Sequence, residues 1–583
     1  MEEAKIFKIR HSLAHILAMA VLEKFPDAKL GVGPVIDNGF YYDFSLSKKL
    51  SDEDLPDLEA RMKKIVQAKI NFTKTITTRN EALKEVEKNQ QNFKTELIND
   101  LPIEEELSFY QSGNFKDLCR GPHVENSAEI DPEAFCLTQT AGAYWRGDEK
   151  REMLVRIYGL AFETAKELAD YKQMLEEAKK RDHRLLGKQL DLFTFSELVG
   201  PGLPLWTPKG TTLRQELDAF IWQLRSQYDY QKVTIPHITK KGLYEISGHL
   251  QKYGDDLFKI KTREDHEFVM KPMNCPHHTQ IYNHLPRSYR DLPQRYAETT
   301  MVYRDEQSGE LSGLARVLSI TQDDAHVFCR ENQVKDEVLK IVNIIKTFYQ
   351  TFNFDLKIRL SLHDPEHFEK YLGTKDLWQK TENNLRELLK ESNLDFSEGI
   401  GEAAFYGPKI DFMANDSLGR QWQVATIQLD RNLPERFDLY CINEKSEQER
   451  IVMIHAAITG SLERFSAVLI EHLAGDFPLW LAPVQIKILT VSENHVEFAK
   501  NLATEFKNQN LRAEIDDSNE TLGNKIRKNS AEKIPYTLVI GDKEIASADL
   551  AIRVRGQKDL LNISKEEFIK LAKTKIQNRE LSL

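Results

Sequence analysis

Cysteine is scarce: five residues in 583, Cys119, Cys136, Cys275, Cys329 and Cys441. They are too few and too scattered for a disulfide framework, which points to a reducing, cytoplasmic setting in which any special cysteine is reactive or metal-bound. Long apolar runs are also missing. None approaches the ~20 residues needed to cross a bilayer, and the opening "MEEAKIFKIRHSLAHIL" has no apolar leader-like stretch, so no membrane partner is expected. The chain lacks an excess of positive charge. Its net −11 argues against indiscriminate coating of nucleic acid, which takes many Lys and Arg contacts to phosphate. There is no internal repeat, no GxxxxGK[ST] and no GxGxxG after a strand, so ATP would have to be held without a glycine cradle.

What is present divides into four parts. Residues 1–160 mix an opening helix ("RHSLAHILAMAVLEKF") with strand-like runs such as "GFYYDF" and "MLVRIYGLAF". Residues 161–187 read as one exposed linker helix, with apolar residues at helical spacing among many charges. Its basic end, Lys179, Lys180, Arg181 and Arg184, is either a solvated face or a phosphate contact. Residues 188–480 alternate helices with half-polar strands ("RYAETTMVYRDE", "ARVLSITQDDAHVF", "KIDFMAND", "RQWQVATIQLD"), which predicts an antiparallel sheet. Residues 483–583 read as a small β-α-β-α-β-β-α domain. This tail carries 17 Lys plus Arg against 15 Asp plus Glu, and is thus the part better suited to a polyanion. The expected class is an α+β multidomain protein.

In place of a glycine cradle, arginines can bind phosphates bidentately. "VYRDEQSGELSGLAR" puts Arg304 and Arg316 on what reads as two strands joined by a glycine-rich loop, and "GSLERF" puts Arg464 on a helix. "TIPHI" with Pro236, then "YRDE" with a distal arginine, then "GSLERF" resembles the three signature motifs of class II aminoacyl-tRNA synthetases. With "MNCPHH", "TQDDAHVFC", "AAFYGPKIDF", "WQVATIQLD" and "MIHAAITGSLERF", and with "HSLAH", "DLCRGPH" and "AYWRGD" nearer the start, the whole chain resembles the threonyl-tRNA synthetase family.

That resemblance implies a class II catalytic domain between an N-terminal α+β editing domain and a C-terminal α/β anticodon-binding domain. It implies one Zn2+ per chain on Cys275, His326 and His455, with the fourth position open to substrate, a donor set that suits catalytic zinc. Arg304 and Arg464 would hold ATP phosphates, with Mg2+, Glu306 the adenine edge and Arg316 the adenylate. Gln322, Asp324, Tyr406 and Thr426 would surround threonine, with Lys409, Gln423 and Gln428 as second choices. Asn519, Glu544 and Arg553 would read anticodon bases of tRNA(Thr), as amide, carboxylate and guanidinium groups can. A homodimer is expected, with the Pro236 region at its interface.

Serine keeps the hydroxyl that zinc would read and lacks only a methyl, a difference worth roughly 10 to 200-fold, so a second, hydrolytic site is expected. His11 and His15 lie one helical turn apart, and Cys119 and His123 share the same spacing. These four are either a second zinc site or a metal-free pocket. The resemblance favours the pocket, with Lys94 and Asp117 as further members. The family usually has glycine at His277, arginine at Ala456, cysteine and glycine at Val424 and Ala425, and an aromatic at Arg431. Many members also carry a ubiquitin-like domain ahead of the editing region, whereas here His11 comes ten residues after the start.

Overall fold

The computed structural model describes residues 2–547 and 549–583, and the chain divides into two compact units between Glu177 and Ala178. In the first, the helix Glu2–Lys24 is free of glycine and proline and stops just before Pro26, as strong helix formers followed by a proline should. Its buried residues Ile9, Leu13, Ile16, Leu17 and Val21 share a core with Phe40, Tyr42, Phe44 and Ile157 of an antiparallel sheet built on Gly39–Ser45, Phe135–Tyr144 and Met153–Ala161. A second sheet pairs Phe72–Thr77, Leu107–Ser112 and Phe115–Leu118. Cys119 and His123 lie on the loop after it, not on a helix.

The stretch expected as one linker helix over 161–187 is two helices, Ala165–Arg181 and His183–Gln189. Asp182 separates them: its side chain accepts the N–H of Arg184 at 2.8 Å and starts the second helix. An N-cap residue has non-helical backbone, which breaks the run.

The second unit is built on an eight-stranded sheet. Its strand order is Gln231–Lys232, Gln294–Tyr303, Ser319–Cys329, Val452–Ala457, Gln421–Asp430, Lys409–Asn415, Asp355–Leu362, Phe396–Ile400. The antiparallel expectation holds through the centre, but the two edge pairs are parallel. At one edge the helix Lys375–Glu391 supplies the crossover that a parallel connection requires. The helices Pro208–Ser226, Val334–Gln350 and Leu462–His472 pack against the sheet through Leu217, Phe220, Ile345, Phe348, Phe465 and Leu469.

The last hundred residues form a five-stranded mixed sheet with the helices Val496–Asn508, Leu522–Ala531 and Lys565–Asn578. The expected element order is present. Two short elements escaped it: the helix Asp542–Ala546 and the edge strand Leu560–Ser564, whose "LLNIS" is too brief to show a period. Among the described residues no helix is long and apolar enough to cross a membrane.

Candidate active site

Strand register builds the centre of the site. Ser319–Cys329 and Val452–Ala457 pair so that His326 faces His455, and Gln421–Asp430 sets Gln428 on the other side of His455. Two histidines 129 positions apart thereby bring Nε2 of His326 to 3.1 Å from Nδ1 of His455. Cys275 opens the helix Cys275–Asn283 and joins them. One ligand atom from each of the three lies within 4.8 Å of the others, and all three are buried. A tetrahedral zinc with bonds of ~2.0–2.3 Å needs its ligand atoms roughly 3.3–3.8 Å apart, which this group accommodates.

The surroundings fit a cation as well. His455 Nε2 is 2.9 Å from Asp430 Oδ2, and His326 Nδ1 is 2.7 Å from Nδ1 of His278. If His455 donates to Asp430 and His326 to His278, the two remaining lone pairs face each other beside the Cys275 thiol, an arrangement that a bridging cation relieves. Burial pushes the Cys275 thiol up and the His326 imidazole down. A divalent ion favours both the thiolate and the neutral ring. Asp430, His278 and His249, whose Nε2 is 3.6 Å from Cys275 Sγ, were not singled out from sequence. Asp430 and His278 do sit inside the quoted motifs.

A cavity of about 440 Å3 opens on this group, lined among others by Arg304, Gln322, Asp324, Tyr406, Thr426, Gln428 and His455. Burial raises the Asp324 carboxyl, and Asn274 donates to it at 3.0 Å. Asp323, its neighbour, accepts from the Ile458 and Thr459 backbone and from Arg225 instead, a purely structural role. Gln322 Oε1 is buried without a hydrogen-bond partner among the described residues. The Tyr406 hydroxyl donates to Gln428.

Lys409 and Gln423 do not line the cavity; both bind Asp411, which sequence reading missed. This fully buried carboxylate accepts from Lys409 Nζ, Ser361 Oγ (2.7 Å), Gln423 Nε2 (2.9 Å) and Thr426 Oγ1 (3.1 Å). Positions 423 and 426 of a regular strand face opposite ways. Here pairing skips Val424, and that bulge turns both side chains toward Asp411.

The arginines are not on strands as expected. Arg304 and Arg316 both belong to the loop 304–318 between Gln294–Tyr303 and Ser319–Cys329. Arg316 donates to Glu306 at 2.6 Å and to Glu310 at 3.0 Å. Arg304 and Arg464 have no ion pair among the described residues. The Arg304 guanidinium stands over the Tyr253 ring and touches the Met273 sulfur at 3.2 Å. Arg464 is exposed in the first turn of the helix Leu462–His472, with its guanidinium over Trp422. Of the linker's basic end, Arg181 donates to Ser417 at 2.8 Å and Arg184 pairs with Asp182.

The positions expected to differ from the pattern the sequence resembles fall mostly behind the cavity. Val424, Ala425 and Ala456 belong to the core that packs on the helices, although Ala456 also touches the cavity. Arg431 pairs with Glu331 and donates to Thr381 at 2.7 Å. His277 is buried with neither ring nitrogen hydrogen-bonded among the described residues.

In the first unit, ligand atoms of His11, His15, Cys119 and His123 also lie within 4.8 Å of one another. Cys119 Sγ is 3.3 Å from Nε2 of His11 and from Nε2 of His123. His11 Nδ1 is 3.2 Å from the Pro122 carbonyl, and His123 Nδ1 is 3.2 Å from Ser12 Oγ. With His11 donating to Pro122 and Ser12 to His123, the Cys119 S–H donates to His11 and accepts from His123, so these three close a network among themselves, while His15 Nδ1 is buried without a hydrogen-bond partner among the described residues. Burial pushes the Cys119 thiol up to about 11 and the three imidazoles down. Beside them Lys94 and Asp117 form a buried pair at 2.8 Å, and the Tyr42 hydroxyl donates to Asp117 at 2.6 Å. Tyr42 was not singled out, although "GFYYDF" contains it.

Asn519 sits on the exposed loop after Ala513–Asp516, Glu544 caps the Gly541 N–H at 3.0 Å, and Arg553 is exposed on Asp549–Val554. No hydrogen bond or ion pair joins these three among the described residues.

A largely antiparallel sheet beside a cavity that Arg304 enters, without a phosphate-binding glycine loop, is the arrangement of a class II aminoacyl-tRNA synthetase core. Residues 258–473 match the tRNA synthetase class II core domain (G, H, P, S and T). Residues 484–575 match the anticodon binding domain, and 107–158 the threonyl and alanyl tRNA synthetase second additional domain. The chain is 48% identical over 572 residues to a threonine–tRNA ligase of Bacteroides thetaiotaomicron, covering 97% of this chain and 88% of that protein, and equally similar to one of Bacteroides fragilis. The crystal structure of the RNA binding domain of threonyl-tRNA synthetase from Cryptosporidium parvum superposes with a TM-score of 0.65 at 36% identity, over 69% of this chain and 99% of that one. The chain belongs to the threonine–tRNA ligase family.

Proposed function

We propose that this protein activates threonine with ATP, transfers it to the terminal ribose of tRNA(Thr), and hydrolyses tRNA(Thr) mischarged with serine. The observation that carries the reading is the buried Cys275, His326 and His455 group at the cavity that Arg304 enters. Those three residues would hold one zinc, which supplies a Lewis acid able to take both the α-amino group and the β-hydroxyl of threonine, so that valine, lacking the hydroxyl, is refused. Asp430 and His278 hold the two imidazoles in the tautomers this needs. Asp324, Gln322, Tyr406, Thr426 and Gln428 line the space beside them for the rest of the amino acid.

Activation is in-line attack of the threonine carboxylate on the α-phosphate of Mg-ATP, with pyrophosphate leaving. Arg304 and Arg464 suit its phosphates, because unpaired guanidinium groups lose no ion pair on taking them up, and charge developing in the transition state is stabilised where they already stand. Arg316 and Glu306 hold each other in the loop that would frame the adenylate. Lys409 and Gln423 act through Asp411.

The His11, His15, Cys119 and His123 group, with Lys94, Asp117 and Tyr42, forms the editing site: neutral imidazoles position water on the ester and no metal is needed. Residues 1–160 are assigned to editing, 161–187 to the linker, 188–480 to catalysis and 483–583 to anticodon binding, with Asn519, Glu544 and Arg553 as readers. A cytoplasmic homodimer is proposed. Exposed Pro236, beside Ile238 at 48% exposure, supports an interface there. Pyrophosphate exchange with each of the twenty amino acids, then tRNA charging, tests the reading. Exchange with an amino acid other than threonine or serine, or none, overturns it.

A further inference from the structure

The loop 304–318 carries Glu306 and Arg316, and their use depends on its holding one shape. Three backbone bonds outside the loop's own turns set that shape. Asp305 N–H donates to the Asp256 carbonyl at 2.9 Å. Leu318 N–H donates to the Gly202 carbonyl at 2.9 Å, and Leu314 N–H donates to Nε2 of His183 at 3.1 Å. A backbone N–H can only donate, so Nε2 is the unprotonated nitrogen and Nδ1 carries the hydrogen. Nδ1–H in turn donates to Glu471 Oε1 at 2.7 Å, and the His183 backbone N–H reaches the same oxygen at 3.0 Å. Glu471 lies in the last turn of the helix whose first turn holds Arg464.

The clamp is dry: His183 is 5%, Glu471 7% and Leu314 0% exposed. It is also tight. Gly313 has φ +50°, and a Cβ there would stand 2.4 Å from His183 Nε2. Both ring nitrogens are engaged, so the Asp182, His183 and Glu471 group, close-set as it is, has no imidazole lone pair left for a metal.

We propose that His183 is a positioning residue for ATP: its neutral ring ties the loop bearing Glu306 and Arg316 to the helix bearing Arg464, so that groups from two separate elements meet one nucleotide. This rests on the reading above, and threonine-dependent pyrophosphate exchange by the parent protein checks that reading separately.

The test compares side chains of graded reach. His183→Gln can place an amide N–H and a carbonyl oxygen where the two ring nitrogens stand, keeping both bonds. His183→Asn reaches only as far as Nδ1 and frees Leu314. Losing one such bond is expected to raise KM for ATP about tenfold in His183→Asn, with KM for threonine unchanged and His183→Gln near the parent. Gly313→Ala pushes the loop off the ring from the other side and should reproduce the Asn result, which keeps the test open if a His183 variant fails to fold. Parental KM for ATP in both His183→Asn and Gly313→Ala overturns the proposal. So does an equal loss of kcat and Tm in His183→Asn and His183→Gln without a change in KM for ATP.

Discussion

Asp411 shows how much of the site rests on one residue. With no exposed surface it gathers Lys409, Ser361, Gln423 and Thr426, and removing one member of a buried charged pair leaves the other uncompensated. Asp411→Ala is therefore expected to destabilise the protein by about 3 to 5 kcal/mol in denaturant unfolding and to abolish threonine activation. An unchanged unfolding midpoint would show that Lys409 finds another partner. The zinc assignment is tested at the same scale. Cys275→Ala should lose both the one equivalent of zinc and threonine activation, read by metal analysis of the purified protein. Stoichiometric zinc surviving that change would place the metal elsewhere, with the His11, His15, Cys119 and His123 group as the next site to test. By residue type Cys275 and His326 look like ordinary core residues, and only the resemblance to the family's motifs joins them to His455. Asp411 escaped because an aspartate in "KIDF" looks like any strand aspartate until its five donors, Arg359 at 3.5 Å among them, are in place.

At the scale of elements, two helices set the candidate side chains in place. Ser461 caps the helix Leu462–His472 by accepting the Arg464 N–H at 3.2 Å, and the same turn aims the Arg464 side chain. Ser461→Ala should cost about 1 kcal/mol of stability and raise KM for ATP, measured by thermal unfolding and pyrophosphate exchange. Unaltered kinetics would mean that Arg464 is aimed without the cap. In the first unit the helix Glu2–Lys24 presents His11 and His15 one turn apart toward the Cys119 loop. His11→Ala and Cys119→Ala should let Ser-tRNA accumulate while Thr-tRNA synthesis is unaffected; clearance of preformed Ser-tRNA at the parent rate by both would remove the editing assignment. The helix itself was plain in the sequence because strong helix formers run unbroken to Pro26. The split at Asp182 and the bulge at Val424 were not plain. Each depends on a side-chain hydrogen bond or a strand pairing that a period of 3.6 or 2 residues does not report.

At the scale of the whole molecule, the stretches that match the class II core and the anticodon binding domain are built on different sheets. Arg553→Ala should raise KM for tRNA while leaving amino-acid activation near the parent rate, and unchanged charging kinetics would sink its role as a base reader. Light scattering should give twice the mass of the 67.5 kDa chain; a monomer at micromolar concentration would remove the proposed interface around Pro236.

By itself the sequence determined most of the element order, the antiparallel character of the centre of the main sheet, and, through ordered motifs, the family; it also named the candidate zinc, phosphate and editing residues. These follow from local patterning and from motif order, both of which are written along the chain. Tertiary structure decided the rest. It set His326 against His455 across 129 positions, gave Asp323 to the backbone and Asp324 to the cavity, left Arg304 and Arg464 without an ion pair among the described residues while Arg316 was taken up by Glu306 and Glu310, and joined His183 to Leu314. The reason is physical: strand register, bulges and buried hydrogen bonds depend on which groups lose water together, and residues far apart in the chain become partners only once the sheet has closed around them.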